Sequence, residues 1–289
     1  MLPTDDVHTI RDEIKWLSNH DRMSLNHTHL VTKGETKLLP KQSIMECEMA
    51  LEARDPTHVP YLSSMFTDTS LLQSVHTHCN DLFPVDRQMI KVQKNLGSGG
   101  CFPFHFDTNG KDGRVFTAIL YLNESWQREN GGELFLYPFP HRPKRIDPIL
   151  NRLVIFSSLD MLHSVAPSSV ERYCLTIWLY GNSPTVSHFP PPFGTVTEET
   201  EPWKHAISFL CHHTMRRHFA KWFYRYEWAE SIMRSHPDTN DTKQAINNHW
   251  NDVAIIETAL SRILAKNNFS FTLQQLQELL NNHIAEQHR

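Results

Sequence analysis

A chain of 289 residues can bury one elaborated domain, or a substantial domain with a smaller partner. With 39% hydrophobic and 21% charged residues it suits a soluble globular protein, and a net charge of −4 excludes any general attraction to nucleic acid or to acidic membranes. Cys47, Cys79, Cys101, Cys174 and Cys211 are scattered, show no disulfide framework and fit a reducing compartment. Met1 to Leu17 is interrupted by Asp5, Asp6, Arg11, Asp12 and Glu13, so no secretory leader is expected. No later run approaches a membrane span, and the cytosol or nucleus is the expected location.

Residues 1–84 read mainly as helix. Val7, Ile10, Ile14 and Leu17 recur at helical spacing within Asp6 to Leu17. Lys41 to Arg54 is rich in helix formers and stops at Asp55-Pro56. Leu62 to Phe83 carries an apolar face through Met65, Leu71, Leu72, Val75 and Leu82, and Pro84 closes it.

From Arg87 to Tyr180 the texture changes to short strands with turn punctuation. Met89 to Gln93 and Phe102 to Phe106 flank Gly97-Ser98-Gly99-Gly100. Val115 to Leu122 leads to a loop ending in Gly131-Gly132, followed by strands at Glu133 to Tyr137, Arg152 to Phe156 and Arg172 to Tyr180. Such a series suggests an antiparallel sandwich or jelly roll rather than alternating strands and helices. Prolines at 184, 190, 191, 192 and 202 mark residues 184–202 as an extended linker. Three helical stretches follow within residues 203–289: Trp203 to Arg234, Asp241 to Lys266 and Thr272 to Gln287.

The chemistry concentrates in residues 85–183. His105 and Asp107 are two apart in a strand, so they point to one side. His163 sits downstream, just after the strand Arg152 to Phe156. Two histidines and a carboxylate in this arrangement can form a facial triad that leaves metal positions open for substrates and oxygen. Nine residues later, Arg172 shares a strand face with Cys174, Thr176 and Trp178. An arginine on an enclosed face needs an anionic partner, and a cosubstrate carboxylate would supply one in bidentate geometry. Val115, Thr117, Ile119 and Tyr121 share another face, from which the Tyr121 hydroxyl could reach the same carboxylate.

The run His105-Phe106-Asp107-Thr108-Asn109-Gly110-Lys111-Asp112-Gly113-Arg114, then Tyr121-Leu122-Asn123, Trp126 and Gly131-Gly132-Glu133-Leu134, resembles the core of the prolyl hydroxylases. Arg152-Leu153-Val154-Ile155-Phe156, His163-Ser164-Val165, Arg172-Tyr173 and Trp178 continue the match in order, nearest to the hypoxia-inducible-factor prolyl hydroxylases and their microbial relatives. The resemblance implies a double-stranded β-helix (jelly-roll) core flanked by N-terminal helices, with a C-terminal helical extension. It implies Fe(II) at His105, Asp107 and His163, and 2-oxoglutarate held by Arg172 and Tyr121. Thr176 would lie beside the metal, with Trp178, Leu134 and Val165 lining the pocket. The implied reaction consumes O₂ and 2-oxoglutarate, with ascorbate as an auxiliary, and hydroxylates a C–H bond, preferably of a peptidyl proline, releasing succinate and CO₂. The implied partner is a protein or peptide substrate. One position departs: where those hydroxylases carry a tyrosine ten residues before the first histidine, this chain has Asn95, whose amide could still hydrogen-bond near the cosubstrate.

Each feature has a plainer reading. His105 and Asp107 alone would more often be a strand-surface pair, Trp178 alone a core residue, and Gly131-Gly132 alone a turn. Only the ordered series reverses this. His27-x-His29 and His76-x-His78 lack a third ligand at convincing spacing, and Cys211-His212-His213 with His218 reads as a polar helical face rather than a zinc site. Competing functions are a same-fold oxygenase for another residue or a small molecule, an inactive jelly-roll binding module, and a helical adaptor.

Overall fold

The computed structural model describes residues 2–32, 35–52, 56–79, 85–181, 202–212 and 215–286. The chain opens with helix α1 (Thr4–Asn19), strands β1 (Ser24–Thr32) and β2 (Glu35–Glu48), and helices α2 (Met49–Glu52), α3 (Pro60–Thr67) and α4 (Ser70–Cys79). Eight strands follow: β3 (Val85–Leu96), β4 (Phe102–His105), β5 (Arg114–Tyr121), β6 (Leu134–Tyr137), β7 (Lys144–Ile146), β8 (Leu153–Ser157), β9 (Leu162–Val165) and β10 (Glu171–Gly181). Helices α5 (Pro202–Leu210), α6 (Arg216–Phe223), α7 (Arg225–Ser235), α8 (Asn240–Lys266) and α9 (Leu273–Glu286) complete it. No helix among the described residues is long and apolar enough to cross a membrane.

The strands form two antiparallel sheets, ordered β1-β2-β3-β10-β5-β8 and β4-β9-β6-β7, consistent with a jelly roll. Strand alternation explains the layering. On β10, Tyr173, Leu175, Ile177 and Leu179 turn outward into a core shared with α1, α3 and α4. Cys174 turns inward, where it meets Ile119 and Tyr121 of β5 and Leu134 and Val165 of the smaller sheet. The outer face of the smaller sheet contributes Phe104 and Leu162 to a third cluster built with α5 to α9. The C-terminal helices thus share a core with the strands that carry the two histidines.

Three expected helices are not single helices. Lys41 to Arg54 is not one helix: its first part lies in β2, where Ile44–Glu48 pairs with Lys91–Asn95 of β3, and only Met49–Glu52 is helical. Pairing with an available strand overrides good local helix propensity. Leu62 to Phe83 likewise breaks between α3 and α4 at Asp68 and Thr69, with residues 80–84 outside the described ones. The stretch Trp203 to Arg234 divides into α5, α6 and α7, the last break falling at Tyr224, which is buried against Phe104 and Tyr137. Of the expected linker 184–202, only Pro202, which opens α5, belongs to the described residues.

Candidate active site

His105 and His163 are directly opposed partners on the antiparallel pair β4–β9, so their side chains leave the sheet together, with ring centroids 4.1 Å apart. Asp107 follows β4 at the start of a loop pinned by Thr108 and Asp112. The Thr108 hydroxyl donates to Asp112 at 2.5 Å, and Asp112 pairs with Arg114 at 2.8 Å. The carboxylate of Asp107 lies 3.7 Å from His105 Nε2 and 3.8 Å from His163 Nε2, and the three donor atoms fall within 4.8 Å of one another.

The hydrogen bonds set the tautomers. His105 Nδ1–H donates to the Pro103 carbonyl at 2.7 Å, and His163 Nδ1–H to that of Met161 at 3.0 Å. Each Nε2 therefore keeps its lone pair facing the carboxylate. Burial, helped by His163, pushes His105 down to about 3, so its ring is neutral near physiological pH. Burial alone would raise Asp107, but His163, His105 and the Thr117 hydroxyl outweigh it and hold the carboxyl below its usual range. Two imidazoles and a carboxylate form a donor set suited to Fe(II) with open positions.

Thr117 on β5 is a functional candidate that sequence reasoning placed on a face but gave no role. Its hydroxyl donates to Asp107 Oδ2 at 2.5 Å and contacts Ser158 Oγ at 2.7 Å. It therefore orients the carboxylate. Thr117→Val removes that bond at nearly constant volume and is expected to weaken iron affinity roughly 10–100-fold, as losses around metal ligands typically do. Anaerobic iron titration checks this, and wild-type affinity would remove Thr117 from the site.

One cavity of about 510 Å³ receives His105, Asp107, His163, Arg172, Thr176, Trp178 and Val165. Arg172 is only 4% exposed, makes no ion pair among the described residues, and leaves its buried Nε without a partner. Its guanidinium lies 5.0 Å from the centre of the Tyr121 ring and reaches Cys174 Sγ at 3.6 Å. The Tyr121 hydroxyl is also buried without a partner, and burial raises its pKa despite the nearby arginine. A buried cation beside an orphaned hydroxyl fits a carboxylate ligand, and with it 2-oxoglutarate.

Glycine makes room for this arrangement. A Cβ on Gly132 would stand 2.9 Å from Arg172 Cδ, and one on Gly131 would stand 2.1 Å from the Pro167 carbonyl oxygen. The pair is thus more than a turn.

Other expectations are placed differently. Tyr121 and Leu134 pack between the sheets behind the cavity wall, not on it. Val115 leaves the face of Thr117 and Ile119: a bulge opposite Leu179 and Tyr180 turns it towards the helical core and brings Arg114 to the cavity. Asn95 pairs with Arg172 in the sheet, yet its amide donates to the Gly100 carbonyl at 2.7 Å and its Oδ1 accepts from Gly97 N–H at 3.0 Å. It closes the glycine turn and does not line the cavity. Trp178 lines it with its ring 4.4 Å from the Arg114 guanidinium, and the Thr176 hydroxyl donates to Gln93 Oε1 at 3.2 Å. Gln93, unassigned in the sequence reading, was detectable by its alternation with Lys91 on β3.

Comparison with known proteins agrees with this geometry. Residues 90–180 match the family model of the 2OG-Fe(II) oxygenase superfamily. The chain is 36% identical over 135 residues to a hypoxia-inducible factor prolyl hydroxylase of Caenorhabditis elegans, covering 45% of this chain and 18% of that protein. It is 33% identical over 119 residues to prolyl hydroxylase EGLN3 of Mus musculus, covering 40% of this chain and 49% of the relative. The chain thus spans half or less of the length of these curated relatives. A crystal structure of a prolyl 4-hydroxylase from Phytophthora capsici superposes with a TM-score of 0.71 at 27% identity, covering 96% of this chain and 84% of the other. Between β3 and β10, the chain carries a domain of the 2OG-Fe(II) oxygenase superfamily.

Proposed function

We propose that this protein is an Fe(II)- and 2-oxoglutarate-dependent dioxygenase that hydroxylates a peptidyl proline. The observation that carries the reading is the shared cavity: a His–Asp–His cluster and a buried arginine with no ion pair among the described residues open into one space. His105, Asp107 and His163 would hold the iron, and Arg172, supported by Tyr121, would hold the far carboxylate of 2-oxoglutarate. Thr176 and Trp178 would shape the wall beside them. When bound, the iron and 2-oxoglutarate supply the oxidising power for C–H hydroxylation, with succinate and CO₂ as coproducts.

The protein's own part is positioning. Thr117 orients the Asp107 carboxylate, and the backbone carbonyls fix the imidazole tautomers. A peptide suits the cavity, which is lined by His27, Thr28 and His29 of β1 and by Trp228 and Ile232 of α7, with His236 just beyond that helix. The nematode relative is named for a protein substrate, which supports the same class here. Five free cysteines suit a cytosolic or nuclear setting. The test is anaerobic titration with iron and 2-oxoglutarate, followed by admission of oxygen with proline peptides present. Succinate formed together with a peptide gaining one oxygen atom is expected. Tight cosubstrate binding without succinate would reduce the protein to a binding module.

A further inference from the structure

The cavity holds a second buried cation that the reaction does not account for. Lys41 of β2 is 8% exposed, and its ammonium donates to Asn26 Oδ1 of β1. The ammonium nitrogen lies 4.8 Å from the centre of the Phe102 ring, which supports its charge. Its acidic neighbour Glu46 is already engaged, accepting from Asn26 Nδ2 and from Lys91 Nζ at 2.9 Å. Lys91 also faces Glu48 at 3.7 Å. Lys41 is therefore left without a carboxylate of its own among the described residues, although an ammonium carries three N–H donors. Burial pulls it down to about 8, which keeps most of it protonated near neutrality. Such a group needs an anion, and the cavity is where one can enter.

Its position relative to the cluster is informative. Phe102 neighbours both, with its ring centre 6.2 Å from that of His105 and 4.8 Å from Lys41 Nζ. Successive Cα atoms of a peptide are about 3.8 Å apart, so a target residue at the cluster puts the side chain of a near neighbour within reach of Lys41. We propose that Lys41 is a specificity residue that takes the carboxylate of an acidic side chain next to the hydroxylated residue of a peptide substrate. The proposal rests on the oxygenase reading and names its substrate class.

The test is binding without turnover. Dye-labelled proline peptides, one flanked by Glu and one by Gln, are titrated anaerobically into protein loaded with Fe(II) and 2-oxoglutarate. Wild type is expected to prefer the Glu peptide by about tenfold, the scale of one charge-assisted hydrogen bond. Lys41→Met should bring the ratio of the two affinities close to one, while Lys41→Arg should retain most of it. Taking the ratio within each variant cancels any loss of folded protein. A wild-type ratio near one, an unchanged ratio in Lys41→Met, or no binding of either peptide overturns the proposal. Lys41-dependent binding of free L-proline in place of the acidic peptide would overturn it too, by assigning the cation to an imino-acid carboxylate. Absence of succinate in the same preparations after oxygen is admitted counts against the enzymatic reading instead.

Discussion

Replacing His105, Asp107 or His163 by alanine is expected to reduce turnover to background and to weaken iron binding by more than about 100-fold. Each change would remove one of the three proposed protein ligands, a larger loss than the roughly 10–100-fold typical of groups behind the ligands. The hydrogen bonds sharpen the comparison. The two imidazoles are held independently, by the carbonyls of Pro103 and Met161, so losing one ring leaves the other oriented. Asp107 is shared by both Nε2 contacts and by Thr117, so Asp107→Asn should also be severe although its size is conserved. Iron stoichiometry and succinate formation, measured beside thermal unfolding, separate loss of the site from loss of the fold. A folded alanine variant with full activity at limiting iron would strike that residue from the triad.

Arg172→Ala should lower 2-oxoglutarate affinity at least roughly thirtyfold, because truncating one partner of a buried charge pair costs about 2–5 kcal/mol. Arg172→Lys should do less harm, keeping the charge but losing the planar two-donor fork. Iron affinity should change little in either, since the arginine is no ligand. A surface arginine in an ordinary ion pair would give almost no effect, but at 4% exposure and with no carboxylate partner among the described residues Arg172 is not such a residue. The measurement is anaerobic 2-oxoglutarate titration of iron-loaded protein. Equal affinities for wild type and both variants would end the cosubstrate role of Arg172.

Much of the candidate site was legible because strands obey a period of two. Parity alone put Arg172, Cys174, Thr176 and Trp178 on one face, and all four meet the cavity. The last two helical stretches were legible as α8 and α9, with Leu273, Leu276 and Leu280 in the core. What escaped was set by contacts distant in the chain. Lys41 to Arg54 looked helical because its strand conformation depends on β3, which nothing local announces. Val115 defeated parity because one bulge shifts every residue beyond it. Asn95 kept the right place in the sheet but spends its amide on the turn at Gly97 and Gly100. Thr117 and Lys41 gain their roles only once β5 approaches Asp107 and β2 approaches Phe102.

One wall of the cavity joins two segments far apart in the chain. His236 Nε2 meets the Thr28 hydroxyl at 3.0 Å across 208 residues, and Lys37 pairs with Asp241 at 3.1 Å. During synthesis at about 5–20 residues per second, roughly 10–40 s pass between the emergence of Thr28 and that of His236. His105, Asp107 and His163 all emerge within that interval. The three residues proposed to hold iron are therefore synthesised after β1 and before α7, the two sides of the wall. Birth order thus runs through the site in three stages: the β1–β2 wall with Lys41 comes first, the residues proposed to take up iron next, and the wall from α7 last.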